Sequence, residues 1–404
     1  MLAKGRVRVG FLLVFRREIG RFLRRPFLLF LSTILPLFLM GLLAVVFSQG
    51  LATRLPIAVL DLDGTDLSRT IIRSVDATPD TAVAVSVADL TEGRHLILAG
   101  KVHGLLMLPK NLERDAFAGR RPEVVFFYNT QTLTPGNLTL RGVSAAIPSV
   151  AASIRLSLRT SRGEPVDIAR SALQPIPVQV HPLFNPTLNY AYFLLAALIP
   201  SVLQVAVVTT MAYSAGLDVE RTHRLRVLRR LGGGLWPALF GKLLPYTFLF
   251  LLVLGLSDIV LFGYLGLPLR GNRWLLLAGA VLFILACQLL GLLLALVLRP
   301  TATAVSIGAL LAAPAFGFMG IGFPRLGMNG FAYHWGELLP GTWYLMVRID
   351  QTVRGTPLDL SLKPLASLLA LTFALAILVA IRLEFIRSRN DRLKREALSR
   401  EVPA

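Results

Sequence analysis

Two aspartates separated by one residue, Asp61 and Asp63, are the first positions in the chain whose types and spacing could do chemistry. They follow an apolar run and precede Gly64 and Thr65, a composition typical of a turn. Carboxylates at this spacing can begin a calcium-binding loop. That loop also needs a bidentate glutamate at its last position, where this chain has Ile72. The spacing therefore does not predict a calcium site.

The same segment, residues 61–65, resembles the nucleophile motif of haloacid dehalogenase phosphatases. The resemblance implies that the first aspartate attacks phosphorus, that the second handles the proton, and that a lysine and a distal acidic pair support Mg²⁺. No convincing acidic pair follows downstream. We therefore predict a strand that ends in an Asp/Gly turn and caps a helix from Leu67. An outward-facing phosphatase built on Asp61 and Asp63 remains a competing hypothesis.

A nucleotide-binding loop is not predicted. Gly234 and the pair Gly241-Lys242 are too far apart for the phosphate-binding motif, and Leu243 stands where that motif needs Ser or Thr. If the protein uses ATP, another chain must bind it. The histidines do not have metal-ligand spacing, and the single cysteine, Cys287, lies in an apolar run. We predict no metal site and no cofactor in this chain.

Asp258 is the one acidic residue well inside a predicted membrane span. A charge there costs at least about 2.5–3.5 kcal/mol on insertion scales, so it usually has a partner or faces water. A proton or ion relay normally needs several such groups, and none is evident. We expect a structural partner or a polar group facing a pore.

The composition places these residues in a membrane protein. Hydrophobic residues make up 54% of the 404 residues and charged residues only 16%, against about 25% in soluble domains. The net charge of +19 could indicate nucleic-acid binding, but the basic residues lie beside apolar spans. We predict a polytopic α-helical membrane protein with six transmembrane helices and an α/β or α+β extracytoplasmic domain inserted between helices 1 and 2.

Charge and hydropathy divide the chain into five parts. These are a cytoplasmic amphipathic leader (1–25), transmembrane helix 1 (26–47), an extracytoplasmic domain (48–188), transmembrane helices 2–6 (189–384) with a cytoplasmic loop (214–242), and a cytoplasmic basic tail (385–404). Basic residues concentrate in the leader, loop and tail, and short Lys/Arg-rich segments resist translocation. Both termini are therefore expected inside. Residues 325–363 are expected outside, with a short interfacial helix at 331–338.

The leader combines one apolar stripe with several cations. Its apolar residues recur at helical spacing, and Glu18 is its sole acidic residue. Such a helix could lie flat at the headgroup level with its cations near anionic lipid, or it could simply flank the first span. The interfacial residues are predicted to be Phe11, Phe15, Arg17, Ile19, Arg21 and Phe22.

The segment 48–188 is nearly neutral, and its apolar runs are too short to cross a bilayer. Runs at 56–61, 102–108 and 123–128 predict buried strands. Stretches at 67–75, 90–98 and 137–159 predict helices. This alternation is typical of a compact domain outside the membrane.

The order of these segments resembles the permease subunits of bacterial type-2 ABC exporters, in the subfamily with a large extracytoplasmic domain between the first two spans. The resemblance covers almost the whole chain. It rests on residues 56–61 with Ser68-Arg69, 104–109, Tyr128-Asn129, Phe184-Asn185-Pro186, Gly241-Lys242 with Pro245-Tyr246, Gly322-Phe323-Pro324 and 339–344. The acidic pair before the loop is present, whereas Arg221-Thr222 stands where the family usually has Gly-Thr.

The resemblance implies a bacterial inner-membrane efflux subunit that forms the translocation path. Two permease chains, identical or paralogous, would pair, and two cytoplasmic ATPase subunits would bind ATP and Mg²⁺. Membrane lipid and a periplasmic adaptor are further expected partners. The surface coupled to the ATPase is expected to contain Asp218, Glu220, Arg221, Arg224, Leu225 and Leu228.

The alternative hypothesis is a non-transporting membrane-anchored binding or signalling protein. A basic loop beside two spans also occurs with no partner, simply because it sets the orientation of the chain. Association with an ATPase discriminates between these hypotheses.

Overall fold

The computed structural model describes residues 10–48, 50, 52–173, 183–185, 189, 191–220 and 222–401. The side chains at 133, 170, 172–173, 222–225, 390–391 and 393–401 are not described. The chain divides into two units, one formed by Met1–Gly50 with Pro182–Ala404 and the other by Leu51–His181.

The first unit begins with α1 (Phe11–Arg24), which ends two residues before Pro26. The chain then continues through α2 (Pro26–Leu29), a π-helical turn (Phe30–Ile34) and α3 (Leu35–Val46). Together these form an apolar segment, Pro26–Val46, long enough to cross a membrane. Proline at the start of α2 is tolerated because the first N–H groups of a helix have no intrahelical acceptor.

The second unit is a mixed sheet with helices on both faces. Its strands are β1 (Leu55–Asp61), β2 (Thr81–Ser86), β3 (Gly104–Leu108) and β4 (Val125–Tyr128), in the order β2-β1-β3-β4. β1 runs parallel to β2 and β3, whereas β4 is antiparallel to β3. Its helices are α4 (Asp66–Asp76), α5 (Leu90–Leu98), α6 (Leu112–Phe117), α7 (Leu133–Ser161) and α8 (Val166–Leu173).

The core of this unit explains why β1 is an apolar run rather than an alternating one. Ile57 and Val59 point toward α4 and α7, whereas Ala58 and Leu60 point toward the α5 side. A central parallel strand covered on both faces buries every side chain, so its sequence lacks polar alternation. The three predicted strands are present, and β2 and α6 were not predicted.

The first unit continues with the remaining helices. They are α9 (Ala196–Val219, preceded by the π-helical Ala191–Leu195), α10 (Thr222–Gly232), α11 (Leu235–Asp258, continued by Ile259–Tyr264), α12 (Arg273–Val297), α13 (Thr301–Ala312), α14 (Ala315–Phe318), α15 (Gly330–Glu337), α16 (Pro340–Ile349, continued by Asp350–Arg354) and α17 (Leu358–Glu401). Among the described residues, six helical segments are long and apolar enough to span a membrane, as predicted.

Two of these segments, α9 and α12, bury the largest share of their side chains and form the centre of the bundle. They approach closely at Gly291, where an added Cβ would lie 3.1 Å from the backbone nitrogen of Ala212 and closer still to the carbonyl oxygen of Val208. Small residues permit such close helix packing in membranes. Gly308 likewise faces Val208, so these two glycines pack helices within one chain.

We expect Gly291→Ala to destabilise the bundle by about 1–3 kcal/mol, because the new methyl group meets backbone atoms that cannot move aside easily. Gly255→Ala is the matched control, since no atom lies within 4 Å of its added Cβ. That substitution should be neutral or slightly stabilising, as alanine favours helices. Thermal unfolding of the purified chain in detergent measures both, and equal melting temperatures would contradict the packing described.

One segment expected outside the membrane instead returns into the bundle. Residues 325–363 were predicted to lie wholly outside, but α16 packs against α9, α12 and α17. At its beginning, the Gly341 N–H donates to Gln204 Oε1 at 2.8 Å, midway along α9. The prediction did not include this packing of α16 against the spans. This segment is too short to be recognised as a span, and its burial depends on polar partners from other helices.

Candidate functional site: a buried charge cluster beside a basic helix

Asp218 lies at the end of α9 and is only 1% exposed. Its carboxylate accepts hydrogen bonds from Arg17 Nη2 at 2.8 Å and from Arg21 Nη2 at 2.5 Å. Lys242 Nζ, on α11, also donates to it at 2.8 Å. A single carboxylate therefore joins α1, α9 and α11. We name Arg17, Glu18, Arg21, Asp218 and Lys242 the Asp218 cluster.

Glu18 supplies the second anion of the Asp218 cluster and is fully buried. Arg17 Nη1 donates to its carboxylate at 2.9 Å, and Lys242 Nζ lies 3.4 Å from Oε2. Lys242, itself 2% exposed, also donates to the hydroxyl and carbonyl oxygens of Ser214. The cluster thus contains three cations and two anions, and a buried charge is tolerated only when it is compensated in this way.

The guanidinium of Arg21 shows how strongly the Asp218 cluster holds its charge. Burial disfavours the charged form, but the hydrogen bond to Asp218 and the nearby Glu18 carboxylate outweigh burial and raise the pKa of Arg21 above its ordinary value. Arginine is already charged at any physiological pH, so this attachment of α1 does not act as a pH switch.

Apolar contacts fix α1 in the same position. Val14, Leu228 and Ala238 form a small buried cluster between α1, α10 and α11. The Gly10 N–H donates to the carbonyl of Leu231 at 2.8 Å. At Gly241, an added Cβ would lie 2.7 Å from both Val14 Cβ and the carbonyl of Phe11, so this position requires glycine for the close approach. Helices α1, α10 and α11 therefore form one packed group.

Glu220 connects the end of α9 to a fourth element. Thr301 is the first residue of α13, and its backbone N–H donates to Glu220 Oε1 at 2.6 Å. Helix N-termini carry unpaired N–H groups and partial positive charge, so a carboxylate is stabilising there. One turn earlier, Gly216 lies against the Thr301 side chain. The carboxylates of Asp218 and Glu220 thus hold α1, α11 and α13 to the end of α9.

This geometry corrects two expectations about the predicted residues. Asp218 was expected on a surface that contacts the ATPase, but its carboxylate is enclosed by three cations of the same chain. Arg17 and Arg21 were considered cations facing lipid headgroups, but they face Asp218. Phe11 and Ile19 are 41% and 39% exposed, and Phe15 and Phe22 are half-buried, so the apolar stripe is partly open.

The other predicted coupling residues are placed less completely. Leu228 is buried against α1 and α11. Arg221 lies outside the described residues. Arg224 and Leu225 belong to α10, but their side chains lie outside the described part of the chain.

The outer face of α10 carries exposed cations. Arg226, Arg229 and Arg230 are exposed and line a recess of about 400 Å³ together with Gly233 and Gly234. This recess lies on the face of α10 away from the buried Leu228. An acidic surface of a partner would fit it by charge complementarity.

Asp258 has the structural partner expected of an acid inside a span. Arg348, on α16, forms an ion pair with both carboxylate oxygens of Asp258 and donates to the hydroxyl of Tyr344 at 3.1 Å. Arg348 is fully buried, whereas the Asp258 side chain is 20% exposed. The pair fixes α16 to α11.

Three residues of these two sites were not predicted: Glu18, Lys242 and Arg348. Lys242 and Arg348 have acidic partners remote in sequence: Lys242 pairs with Glu18 across 224 positions, and Arg348 pairs with Asp258 across 90. The available signal was the lone charge within apolar sequence, since such a charge needs a partner.

Asp61 and Asp63 have the structural roles expected of a turn. Asp61 Oδ1 accepts from the N–H groups of Asp63 and Gly64, and its Oδ2 accepts from the Ser68 hydroxyl. Asp63 accepts from two N–H groups at the start of α6, and Thr65 caps α4. All four carboxylate oxygens thus hold backbone or hydroxyl donors. This arrangement stabilises the ends of two helices.

Six candidate spans, a buried charge cluster at one end of the bundle and an exposed basic helix beside it define a multi-pass membrane protein with a surface suited to an acidic partner. The chain belongs to the ABC-2 family transporter proteins, whose profile matches residues 26–382.

Two curated relatives carry the name inner membrane transport permease YhhJ, one from Escherichia coli (strain K12) and one from Shigella flexneri. Each is 24% identical to this chain over 251 residues, which is 60% of this chain. The match covers 62% of the length of each relative.

Proposed function

We propose that this chain is the transmembrane permease subunit of an ATP-driven exporter, coupled to a separate cytoplasmic ATPase through α10. The observation that carries this proposal is the attachment of α1, α9 and α11 to one buried carboxylate, Asp218. A force applied to α10 would reach these helices together, because α10 packs on α1 and α11 through Leu228. Glu220 would extend the movement to α13.

In this proposal the coupling residues have different roles. Arg226, Arg229 and Arg230, with Arg221 and Arg224 of the same segment, bind the acidic surface of the ATPase. Leu228 supports the helix from its buried side. Asp218 and Glu220 act as positioning residues, since they hold the receiving helices together without contacting the ATPase. The cations proposed to contact the ATPase are thus exposed, whereas Asp218, which holds the helices together, is buried.

The expected orientation follows from the distribution of charge. The Asp218 cluster, α10 and the basic end of α17 would lie at the cytoplasmic face of a bacterial inner membrane, with both termini on that side. The sheet-containing unit of 51–181 would then be extracytoplasmic. ATP and Mg²⁺ would be bound by the ATPase, and a second permease chain would complete the path across the membrane.

The double substitution Arg229→Glu/Arg230→Glu tests the contact surface. We expect it to weaken the complex with the ATPase about tenfold or more, because two favourable charge contacts become repulsive. The tagged chain is co-expressed with each ATP-binding cassette ATPase of its host genome. The co-purified ATPase and its vanadate-sensitive ATP hydrolysis are then measured.

Arg114→Glu/Arg120→Glu provides the matched control, because it makes the same change of charge at side chains that are 65% and 64% exposed in the sheet-containing unit. This variant should retain the complex. If no ATPase co-purifies with the unsubstituted chain, the exporter proposal fails and a membrane-anchored binding protein is favoured. If an ATPase binds equally well to both variants, the assignment of the α10 surface is wrong.

A further inference from the structure

Strand β4 forms one edge of the sheet and pairs with β3 alone. No strand in the described part of the chain covers its other side. The opposite edge of the sheet, β2, is protected: the Val83 N–H donates to Asp76 Oδ1 at 2.9 Å, and a register shift interrupts the pairing of β2 with β1. Folded proteins commonly protect an edge strand with a bulge, a charge or a proline, because its unpaired backbone groups can bind a strand of another chain.

The open side of β4 presents the backbone groups of Phe126 and Tyr128. The Asn129 N–H donates to the His103 carbonyl at 3.0 Å, so the backbone of Asn129 faces the β3 side. Successive residues of an antiparallel strand direct their N–H and C=O groups alternately toward the neighbouring strand and away from it. Phe127 therefore bonds to β3, whereas both groups of Phe126 and of Tyr128 point to the open side.

The composition of β4 suits this edge to another strand. Residues 124–130, VVFFYNT, contain no charge, proline or glycine. The Phe126 and Tyr128 rings stack at 5.9 Å on one face, where Phe126 packs against the core shared by α4 and α7. The Phe127 side chain lies on the other face and is 42% exposed. The core thus holds β4 from one face, while its edge and Phe127 remain open.

A second β4 placed antiparallel beside the first is complementary to it. Phe126 of one copy would lie opposite Tyr128 of the other, so each outward N–H would meet a C=O. The two Phe127 side chains would lie opposite each other on one face. This register opposes no like charges, since residues 124–130 are uncharged. Both chains use the same surface, as a two-fold symmetric dimer requires.

The size of this edge favours a second copy over a soluble partner. Stable complexes of separate proteins bury about 1,200–2,000 Å² in total, far more than a pair of such short strands provides. Pairing of so few residues needs chains that other contacts already hold side by side, because their effective concentration is then high. Two permease chains in one membrane meet this condition, so the inference rests on the second permease chain of the proposed function.

We propose that the β4 strands of two copies pair antiparallel about Phe127 and join their sheets into one continuous sheet. The pairing buries part of the exposed Phe127 surface and supplies hydrogen-bond partners to the backbone of Phe126 and Tyr128. It forms without ATP or an ATPase, so it is tested separately from the coupling through α10.

Disulfide formation by Phe127→Cys tests this register. Residues opposite each other at a non-hydrogen-bonded position have Cα atoms about 4.5 Å apart, within the range of about 4.4–6.8 Å that a disulfide allows. The full-length chain is oxidised with copper phenanthroline in isolated membranes, and the cross-linked dimer is measured on non-reducing gels. Cys287, the one native cysteine, is buried, and the unsubstituted chain shows its contribution.

Two further cysteine variants are the controls. Val125→Cys changes the same face of β4, but the register places the two copies of this position about 13 Å apart, too far for a disulfide. Phe117→Cys replaces a side chain on α6 that is 48% exposed, so it measures random collision. We expect the dimer fraction of Phe127→Cys to exceed that of either control about tenfold or more.

Absence of the Phe127→Cys dimer would overturn the proposal. If differently tagged copies still co-purify, the second permease chain of the proposed function is retained. Equal cross-linking of Phe127→Cys and Val125→Cys would also overturn it, since the disulfides would then report only collision of exposed edges. A cross-link to another protein in place of the dimer would assign the edge to that partner. Failure of an ATPase to co-purify would overturn the proposed coupling but leave the dimer band unchanged.

Discussion

Asp218→Asn is expected to lower the free energy of unfolding by about 3–5 kcal/mol. The substitution leaves Arg17, Arg21 and Lys242 with Glu18 as their only remaining acidic partner in the Asp218 cluster. Removing one member of a buried charge network leaves the other buried charges uncompensated. The stability lost in this way exceeds the modest net stabilisation that the intact network provides. Unfolding of the purified chain by SDS in mixed micelles measures the effect.

Two further variants separate this effect from a general sensitivity to substitution. Asp66→Asn changes a carboxylate that is 91% exposed and pairs only with Arg69 at the surface, so it should cost less than about 1 kcal/mol. Asp218→Asn/Lys242→Gln removes one charge of each sign and should recover part of the loss. A single variant as stable as the unsubstituted chain would show that the cluster is not the attachment of α1.

Asp258→Asn is expected to destabilise the bundle more than Arg348→Met does. The first change leaves the fully buried Arg348 charge without a counter-ion, whereas the second leaves Asp258, which is 20% exposed and can be solvated. Breaking a buried pair costs about 3–5 kcal/mol, and we assign the upper end to Asp258→Asn. The same SDS titration ranks the two variants.

The double variant Asp258→Leu/Arg348→Met should be more stable than Asp258→Asn, since it leaves no unpaired charge. Arg69→Met is the matched control, because that side chain is 59% exposed and pairs with Asp66, itself 91% exposed, across one helical turn. Its cost should lie within about 1 kcal/mol. The reverse order of the two single variants would mean that Asp258, not Arg348, is the more deeply desolvated partner.

The six spans were predictable because the free energy of placing a helix in a bilayer depends on the composition of that helix alone. The strand β1 was predictable for a related reason, as four consecutive buried side chains leave an uninterrupted apolar run. β2 was missed because its sequence, TAVAVS, consists of small and weakly apolar residues. Its pairing with β1 decides its conformation.

The charged residues of the candidate site were predictable as charges but not as contacts. Asp218 and Glu220 precede a basic helix, and local sequence favoured an exposed acidic pair. Tertiary structure placed Asp218 against Arg17 and Arg21, about 200 positions away in the chain, and Glu220 against the start of α13. Such contacts depend on which helices are neighbours, and that is set by packing at positions such as Gly241 and Gly291.

The sequence by itself determined that the chain contains six segments long and apolar enough to cross a membrane, and that a basic segment follows the second of them. It also determined that Asp258 needs a partner, because the cost of an unpaired charge in a span is a local property. Only the tertiary structure decided that the partner is Arg348 and that α1 is held by Asp218. The physical reason is that burial and charge compensation are properties of neighbours in space, which hydropathy and spacing along the chain do not specify.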